Sequence, residues 1–463
     1  MYFNSQFNIH NSQLKRTTLL LQFIKPLYLK PRFFWLIGGC IGLFIASFPF
    51  EGLFLLSKIV LLVLVLLTFI DILLLFSRKN GLSGKRIVPD KLSNGDINDI
   101  LVEIENNYGF NARLSIVDEV PAQFQMRDFL IEIQISPKTS HKIKYHLKPV
   151  KRGEYTFGAL NVFVESILGL ANKRYVFDQN KTVPVYPGFL QLRKYELMAI
   201  SNRLTEFGIK KIRKIGHNRE FEQIKEYVQG NDLRTINWKA TARKQSLMVN
   251  HYQDEKSQQV YSVIDKGRLM KMPFEKMTLL DYAINASLVI SKIALMKDDK
   301  AGLITFGSKI GTILPASKNN SQMNTILETL YNQKTAYKDA SFEKLYINIK
   351  KRLNQRSLIL LYTNFESFSS MQRQLPYLRK IARNHLLVVI FFENTELKAL
   401  LDKESETLEE IYIQTIAEKI AHEKQMIAKE LLKFGIQSVL TPPKNLTIDS
   451  INKYLELKAR GMI

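Results

Sequence analysis

The sequence predicts a multi-domain chain: an N-terminal transmembrane helical hairpin, then an antiparallel β-sandwich, then an α/β domain of Rossmann-like order. Three observations predict it. Two apolar stretches, Phe33 to Phe50 and Gly52 to Phe76, each approach the roughly 20 residues that cross a bilayer. Between about Lys85 and Pro187 the pattern changes to short alternating runs separated by turn clusters. Beyond Gln259 strand-like runs alternate with helical stretches, the rhythm of parallel strands joined by crossover helices.

Composition narrows the function classes. At 463 residues the chain is long enough for two or three domains, and 46% hydrophobic beside 24% charged residues suits globular domains with a short membrane anchor. The single cysteine, Cys40, lies inside an apolar run, which excludes a disulfide framework and a thiolate metal site. The net charge of +23 admits nucleic acid, an anionic membrane surface or an acidic protein as partner. Charge alone does not choose among them.

In the hairpin, Pro49, Glu51 and Gly52 make the turn, Gly38, Gly39 and Gly42 are expected to let the helices pack closely, and Trp35 is expected near one interface. Lys58 and Asp71 interrupt the second stretch, where Lys can snorkel and Asp can reach headgroups. A cleaved signal peptide fits less well, because the second apolar run follows at once and no small-residue cleavage site stands out. Lys15, Arg16, Lys25, Lys30 and Arg32 precede the hairpin, Arg78, Lys79, Lys85 and Arg86 follow it, and its turn carries no Lys or Arg. Both ends are therefore expected on the cytoplasmic side of a bacterial inner membrane, with the soluble domains there too. Topology and anionic lipid then account for part of the positive charge.

Sandwich strands are expected over Ile97 to Glu105, Arg113 to Val117, Phe129 to Ile135, Lys142 to Leu147, Leu160 to Val164 and Lys173 to Phe177. Asp118-Glu119, just before Pro121, reads as a turn.

The densest run lies between Glu220 and Arg243. Phe221, Ile224 and Val228 recur at helical spacing, Gly230 ends that turn of chain, and Asp232 is placed to cap a second helix with Leu233, Ile236 and Ala240 inward. Lys239 and Arg243, four apart, would share its outer face. Trp238 and Tyr227 are read first as packing residues, and the charged residues as a docking surface.

This run resembles the signature of domain-of-unknown-function family 58, bacterial membrane proteins usually encoded beside MoxR-type AAA+ ATPases. Glu220, Phe221, Tyr227, Gly230, Asp232, Arg234, Trp238, Lys239, Ala242 and Arg243 match, while Asn231 and Asn237 stand for aspartates and Thr241 for a serine. The segment Lys151 to Gly158, continuing to Leu168-Gly169-Leu170, is similar to two further family elements, with Glu165-Ser166-Ile167 in place of Asp-Pro-Leu. Arg152, Gly153 and Gly158 there are read as turn geometry plus a salt bridge. The resemblance implies a von Willebrand factor A-like domain at the C-terminus, whose metal site uses a D-x-S-x-S loop, a threonine and a later aspartate. Here Asp265 is followed by Gly267 and Leu269 where the serines belong, Asn364 takes the aspartate's place, and Lys266 and Arg268 add positive charge. A hard cation needs several oxygen ligands, so the site is expected to be degenerate, and no cofactor is expected.

Enzyme signatures are weak. Gly81 to Arg86 has the wrong spacing for a phosphate-binding loop, no G-x-S-x-G elbow occurs, and the seven histidines are scattered. The expected boundaries are a basic N-terminal segment over 1–32, two transmembrane helices over 33–76, the sandwich over 84–190, the signature region over 200–252 and the A-like domain over 255–463. The leading function is a membrane-anchored adaptor whose cytoplasmic domains dock other proteins. The resemblance implies a MoxR-type ATPase that remodels or assembles complexes as partner. Its docking residues would be Glu220, Tyr227, Asp232, Arg234, Trp238, Lys239 and Arg243. The alternatives are a nucleic-acid or phosphate binder using Lys210, Lys211, Arg213, Lys214, Arg219, Lys239, Arg243 and Lys244, or an enzyme with an unrecognised site. The basic run lacks the interleaved aromatics of a nucleic-acid stacking platform, which ranks that reading second.

Overall fold

The computed structural model describes residues 26–462 except 79, 178–179, 194–218, 230–232, 255–256, 276, 336 and 402–406. The chain divides into two units. The first holds the helical hairpin with the sandwich, and the second holds nearly everything from Tyr186 onward together with Ser93–Asp96 and Val150–Arg152.

In the first unit, helix α1 spans Pro31–Ala46 and helix α2 spans Glu51–Phe76. Proline at the first helical position of α1 costs no hydrogen bond and presets its entry angle. Among the described residues two helices are long and apolar enough to cross a membrane, Gly52–Phe76 and Leu279–Met296, but only 22% of the first is buried against 78% of the second. The second is a core helix. The close packing expected at Gly38, Gly39 and Gly42 is absent, since a Cβ at any of them would meet open space. Phe44 and Phe54 meet edge to face between the helices instead.

The sandwich is antiparallel throughout. One sheet runs in the order Leu27–Leu29, Ala171–Phe177, Leu160–Glu165, Ala112–Asp118, Ile131–Ile135, and another in the order Leu82–Ile87, Asn98–Asn106, Ser140–Leu147. Lys181–Tyr186 pairs with Gly153–Phe157. Ile100, Val102, Ile104, Leu114, Ile116, Phe157, Val162 and Val164 supply the apolar face of each alternating strand and fill the core between the sheets. The six strands expected are present with boundaries moved by one to two residues. Five further strands were not expected: Leu82–Ile87, Leu92–Ser93, Gly153–Phe157, Lys181–Tyr186 and Leu27–Leu29, the last of which, just ahead of α1, closes the edge of the larger sheet against Ala171–Lys173.

Two polar features correct the sequence reading. Asp118 is the buried end of a strand, not a turn residue. It ion-pairs with Arg86 and accepts a hydrogen bond from Tyr145 at 2.5 Å. Arg86 is accordingly not an exposed charge that could mark topology; its guanidinium also donates to the Gly158 carbonyl. Glycine is required at 158 because a Cβ would stand 2.4 Å from the Glu119 carboxylate.

The second correction concerns Asp71, which is fully buried and does not reach for headgroups. Its carboxylate accepts from the Ser166 hydroxyl and from the backbone N–H groups of Leu168, Leu170 and Ala171 at 3.1 to 3.4 Å. Four residues on, the carbonyl of Leu75 accepts from Tyr108 Oη at 2.8 Å and from Lys173 Nζ at 3.2 Å, and Lys173 also reaches the Arg78 carbonyl. A lysine at helix-end carbonyls meets both the unpaired acceptors and the negative end of the dipole. Lys173 is itself sandwiched between the rings of Phe76 and Tyr175.

The second unit is built on a six-stranded sheet in the order Ile310–Ser317, Lys300–Phe306, Gln259–Asp265, Leu358–Tyr362, Leu386–Phe392, Gln437–Thr441. All neighbours are parallel except the first pair. Both faces are covered: the core helix Leu279–Met296 and Leu446–Ala459 pack on one, Phe342–Arg352, Phe368–Asn384 and Leu408–Lys433 on the other. Strands buried on both faces read as the continuous apolar runs seen in Leu358–Tyr362 and Leu386–Phe392. The salt bridge read into Arg152 is present. Its guanidinium pairs with Asp281 at 2.7 Å and donates to the carbonyls of Leu330, Tyr331 and Gln333 at the end of the Gln322–Tyr331 helix.

Removing one member of a buried ion pair leaves the other charge stranded in the core. Asp118→Ala is therefore expected to destabilise the protein by about 3–5 kcal/mol in denaturant titration, whereas Lys144→Ala, at an exposed pair with Asp99, should leave the midpoint nearly unchanged.

Candidate functional site

Two places gather the residues singled out by the sequence. The first is the corner around Trp238. The expected helix over Phe221 to Val228 is instead a strand, Arg219–Glu226, paired antiparallel with Met248–Asp254 and carrying a bulge between Phe221 and Gln223. An eight-residue helix is marginal without tertiary support, and the β-prone Met-Val-Asn-His-Tyr partner run supplies backbone hydrogen bonds that override the helical spacing. Gly230 and Asp232 lie outside the described residues.

Past a short turn of 3₁₀ helix, Leu233–Thr235, the Trp238–Lys244 helix is capped by Asn237, whose Oδ1 accepts from the Ala240 N–H at 3.0 Å. Leu233, expected inward, is exposed. Asn237 Nδ2 donates to Asn250 Oδ1 at 2.8 Å, a bond that the aspartate of the signature could not make. Thr241 Oγ1 donates to the Asn237 carbonyl and accepts from the Met248 N–H at 3.0 Å, fastening the helix to the strand. Inward-facing polar atoms of the motif thus serve its local fold.

The outward side is different. Trp238 is 70% exposed, contrary to the packing role first read for it, and Lys239 and Arg243 are exposed on the face expected of them. Tyr227 is half-buried, its N–H donating to the Leu247 carbonyl at 2.7 Å. Glu220 and Arg234 have their backbone described, in the strand and in the 3₁₀ turn. Of the basic residues named for nucleic acid, Lys210, Lys211, Arg213 and Lys214 lie outside the described residues.

The second place is a cavity of about 160 Å³ at the carboxyl ends of Gln259–Asp265 and Leu358–Tyr362, lined by Asp265, Gly267, Leu269 and Asn364 among others. Successive strands depart to opposite sides here, since Lys300–Phe306 lies beyond one edge of Gln259–Asp265 and Leu358–Tyr362 beyond the other. Such switch points leave a crevice between diverging loops.

The chemistry of that crevice opposes a divalent cation. Asp265 is buried; Oδ1 accepts from the Gly267 N–H at 2.7 Å and Oδ2 from Thr363 Oγ1 at 2.7 Å. Burial raises its pKa to about 6 despite those hydrogen bonds, which weakens it as an anionic ligand. Asn364 Oδ1 accepts from Lys424 Nζ at 2.8 Å, and the same ammonium donates to the Phe365 carbonyl. Burial lowers the Lys424 pKa to about 8. At the rim Arg268 is held by Asp339 at 2.6 Å and Glu366 at 3.0 Å, while Lys266 turns to Gln333. The oxygens that could bind a metal are taken by hydrogen-bond donors and an internal cation. Among the described residues no group of three or more His, Cys, Asp or Glu is placed to hold a metal.

Lys424 and Thr363 were missed from sequence. Thr363 directly precedes Asn364 and could have been found from that; Lys424 sits in an ordinary charge-rich helix sixty positions away and carries no local signal.

Residues 223–426, from the paired strands through most of the α/β unit, match the family described as Protein of unknown function DUF58. A Bacillus subtilis (strain 168) protein described as Uncharacterized protein YeaD is 27% identical over 195 residues, which make up 42% of this chain and 46% of that protein. The match thus spans about half the length of that curated relative. Among solved structures, a CARDB domain of the Pyrococcus furiosus PF1109 protein is similar at 14% identity with a TM-score of 0.17, covering 22% of this chain and 86% of that one. Proximal thread matrix protein 1 from the mussel byssus is similar at 12% identity with a TM-score of 0.26, covering 44% and 46%. Likenesses of that size carry no argument.

Because the folded-state pKa of Asp265 is raised, its contribution to stability is complete below about pH 4, the ordinary aspartate value, and is lost as pH rises through about 6. The stability of the wild type relative to Asp265→Asn is expected to fall by up to about 3 kcal/mol between about pH 4 and pH 7 in thermal melts. A margin that instead grows with pH would show the carboxylate to be stabilised as an anion.

Proposed function

We propose that this protein is a membrane-anchored interaction protein that presents the Trp238–Lys244 helix to a protein partner, a MoxR-type AAA+ ATPase engaged in assembling or remodelling complexes. One observation carries the reading: Trp238 stands 70% exposed beside exposed Lys239 and Arg243, on a helix already fixed by Asn237 and Thr241. Tryptophan and arginine dominate the energetics of protein interfaces, and an exposed indole flanked by two cations suits an acidic, partly apolar patch on the partner. The nature of the partner follows from the family resemblance. Strand order and the crevice at the ends of Gln259–Asp265 and Leu358–Tyr362 support a von Willebrand factor A-like reading of the second unit, with protein docking rather than metal binding as its use.

The hairpin anchors the protein in the inner membrane with both outer ends on the cytoplasmic side. In support, Leu27–Leu29 before α1 and Leu82–Ile87 after α2 belong to the same sandwich, and Arg32, Arg78 and Lys85 remain as exposed cations flanking the helices. A reporter fused to the C-terminus should be active only if it works in the cytoplasm; export-dependent activity would reverse the orientation.

Lys239→Glu with Arg243→Glu is expected to change stability by no more than about 0.5 kcal/mol per site, yet to abolish co-purification of the ATPase with the detergent-extracted protein. Unfolding of the double variant, or undiminished recovery of the ATPase, would refute the docking role.

A further inference from the structure

We propose that the sandwich itself enters the membrane surface: the loop after the Leu160–Glu165 strand sets Ile167 and Leu168 at the boundary between headgroups and acyl chains, beside the hairpin. The inference rests on the hairpin's lying in a bilayer, and goes beyond it by assigning a lipid contact to a soluble domain.

The register of hydrogen bonds fixes the level of this loop. Leu29 pairs with Ala171, and the Lys30 N–H donates to the Leu170 carbonyl at 3.0 Å, so the loop stands level with Pro31, where α1 begins. On the other helix the backbone N–H groups of Leu168, Leu170 and Ala171 hold Asp71. Two residues further along the strand, Lys173 reaches the carbonyls of Leu75 and Arg78. The strand therefore runs from the level of Asp71 toward the end of α2, and the loop lies at its opposite end, away from that helix end.

That level coincides with the edge of the hydrocarbon. From Gly52 to Ile70, α2 is uninterruptedly apolar except for Ser57, Lys58 and Thr68. At about 1.5 Å per residue that stretch spans about 28 Å, against about 30 Å for a bilayer core. Asp71 and the loop that grips it thus fall where acyl chains give way to headgroups.

The side chains at this level suit that zone. Ile167 and Leu168 are exposed at the loop tip, Ile70 and Leu73 are exposed on α2, and Trp35 is 81% exposed one turn into α1. Largely exposed Arg32, 4.0 Å from Glu165, lies at the same level and can meet lipid phosphate. Isolated exposed apolar residues need no explanation, but two adjacent ones level with the end of a membrane helix, with an exposed tryptophan about one turn further in, suit the interfacial zone. The loop is also rigid enough to hold them there. Gly169 adopts φ +72°, and a Cβ would come 2.7 Å from the Glu165 carboxylate.

The test uses the full-length protein in vesicles of phosphatidylcholine and phosphatidylglycerol. An environment-sensitive fluorophore is attached at Ile167→Cys in a Cys40→Ala background, with Leu168→Cys as a second position and Leu55→Cys, exposed within α2, as the reporter of insertion. The expected result is severalfold quenching at 167 and 168 by lipids brominated high on the acyl chain, with protection from aqueous iodide. Iodide-accessible, unquenched labels at 167 and 168 together with a lipid-quenched label at 55 would overturn the loop contact and leave the anchor standing. Absence of lipid quenching at all three would overturn the anchor and the loop contact together.

Discussion

A carboxylate placed near the end of an apolar helix must find donors or forfeit the helix's place in the structure, and Asp71 finds four in one loop. That capture fixes the rest of the first unit. It sets the height of the Ser166 to Ala171 loop on the hairpin, and the strand that follows aligns Lys173 with the open carbonyls of the helix end. The same strand accepts Leu27–Leu29 at its edge, so the chain entering α1 and the chain leaving α2 are fastened to one sheet. A helix tied only by its connecting peptide would be free to turn about its axis. Here a hydrogen-bonded acid, a lysine at the carbonyls and a tyrosine hydroxyl remove that freedom.

In the second unit the chain's own donors satisfy the acceptors at the strand ends. Lys424 supplies positive charge to Asn364 and to the Phe365 carbonyl, and Thr363 with the Gly267 N–H satisfies Asp265. The loops at the strand ends are held by the chain's own donors. The crevice lies at the strand ends, and at its rim Arg268 is braced by Asp339 and Glu366. Arg152 plays a comparable part deeper in the unit, joining Asp281 in the first turn of one helix to the last carbonyls of another.

Much of this was legible in the sequence because it rests on periodicity. The alternation in Asn98–Asn106 marked that strand within a residue, and unbroken apolar runs such as Leu358–Tyr362 and Leu386–Phe392 carried the strand-and-helix rhythm of the second unit. What was illegible depends on partners distant in sequence. Arg219–Glu226 carries helical spacing and becomes a strand only because Met248–Asp254 lies beside it. Asp118 looks like a turn acid until Arg86 and Tyr145 are brought to it from 32 and 27 residues away. Asp71 did announce itself as an acid in an apolar run, yet its partners, about a hundred residues on, could not be named from spacing. At the candidate docking corner the motif singled out residues without showing which way they face. Trp238 points outward because Asn237 and Thr241 take up the inward contacts.

The strand Leu27–Leu29 has a consequence for biosynthesis. Its partner, Ala171–Lys173, emerges from the ribosome more than a hundred residues later, after both apolar helices have been made. The larger sheet can gain its edge only once the hairpin has left the exit tunnel, so the hairpin is complete before the sandwich closes. Completing that edge then works as a latch on a finished step: a hairpin that failed to turn back would keep Leu27–Leu29 away from Ala171–Lys173, and the sheet would carry an unpaired edge open to other chains.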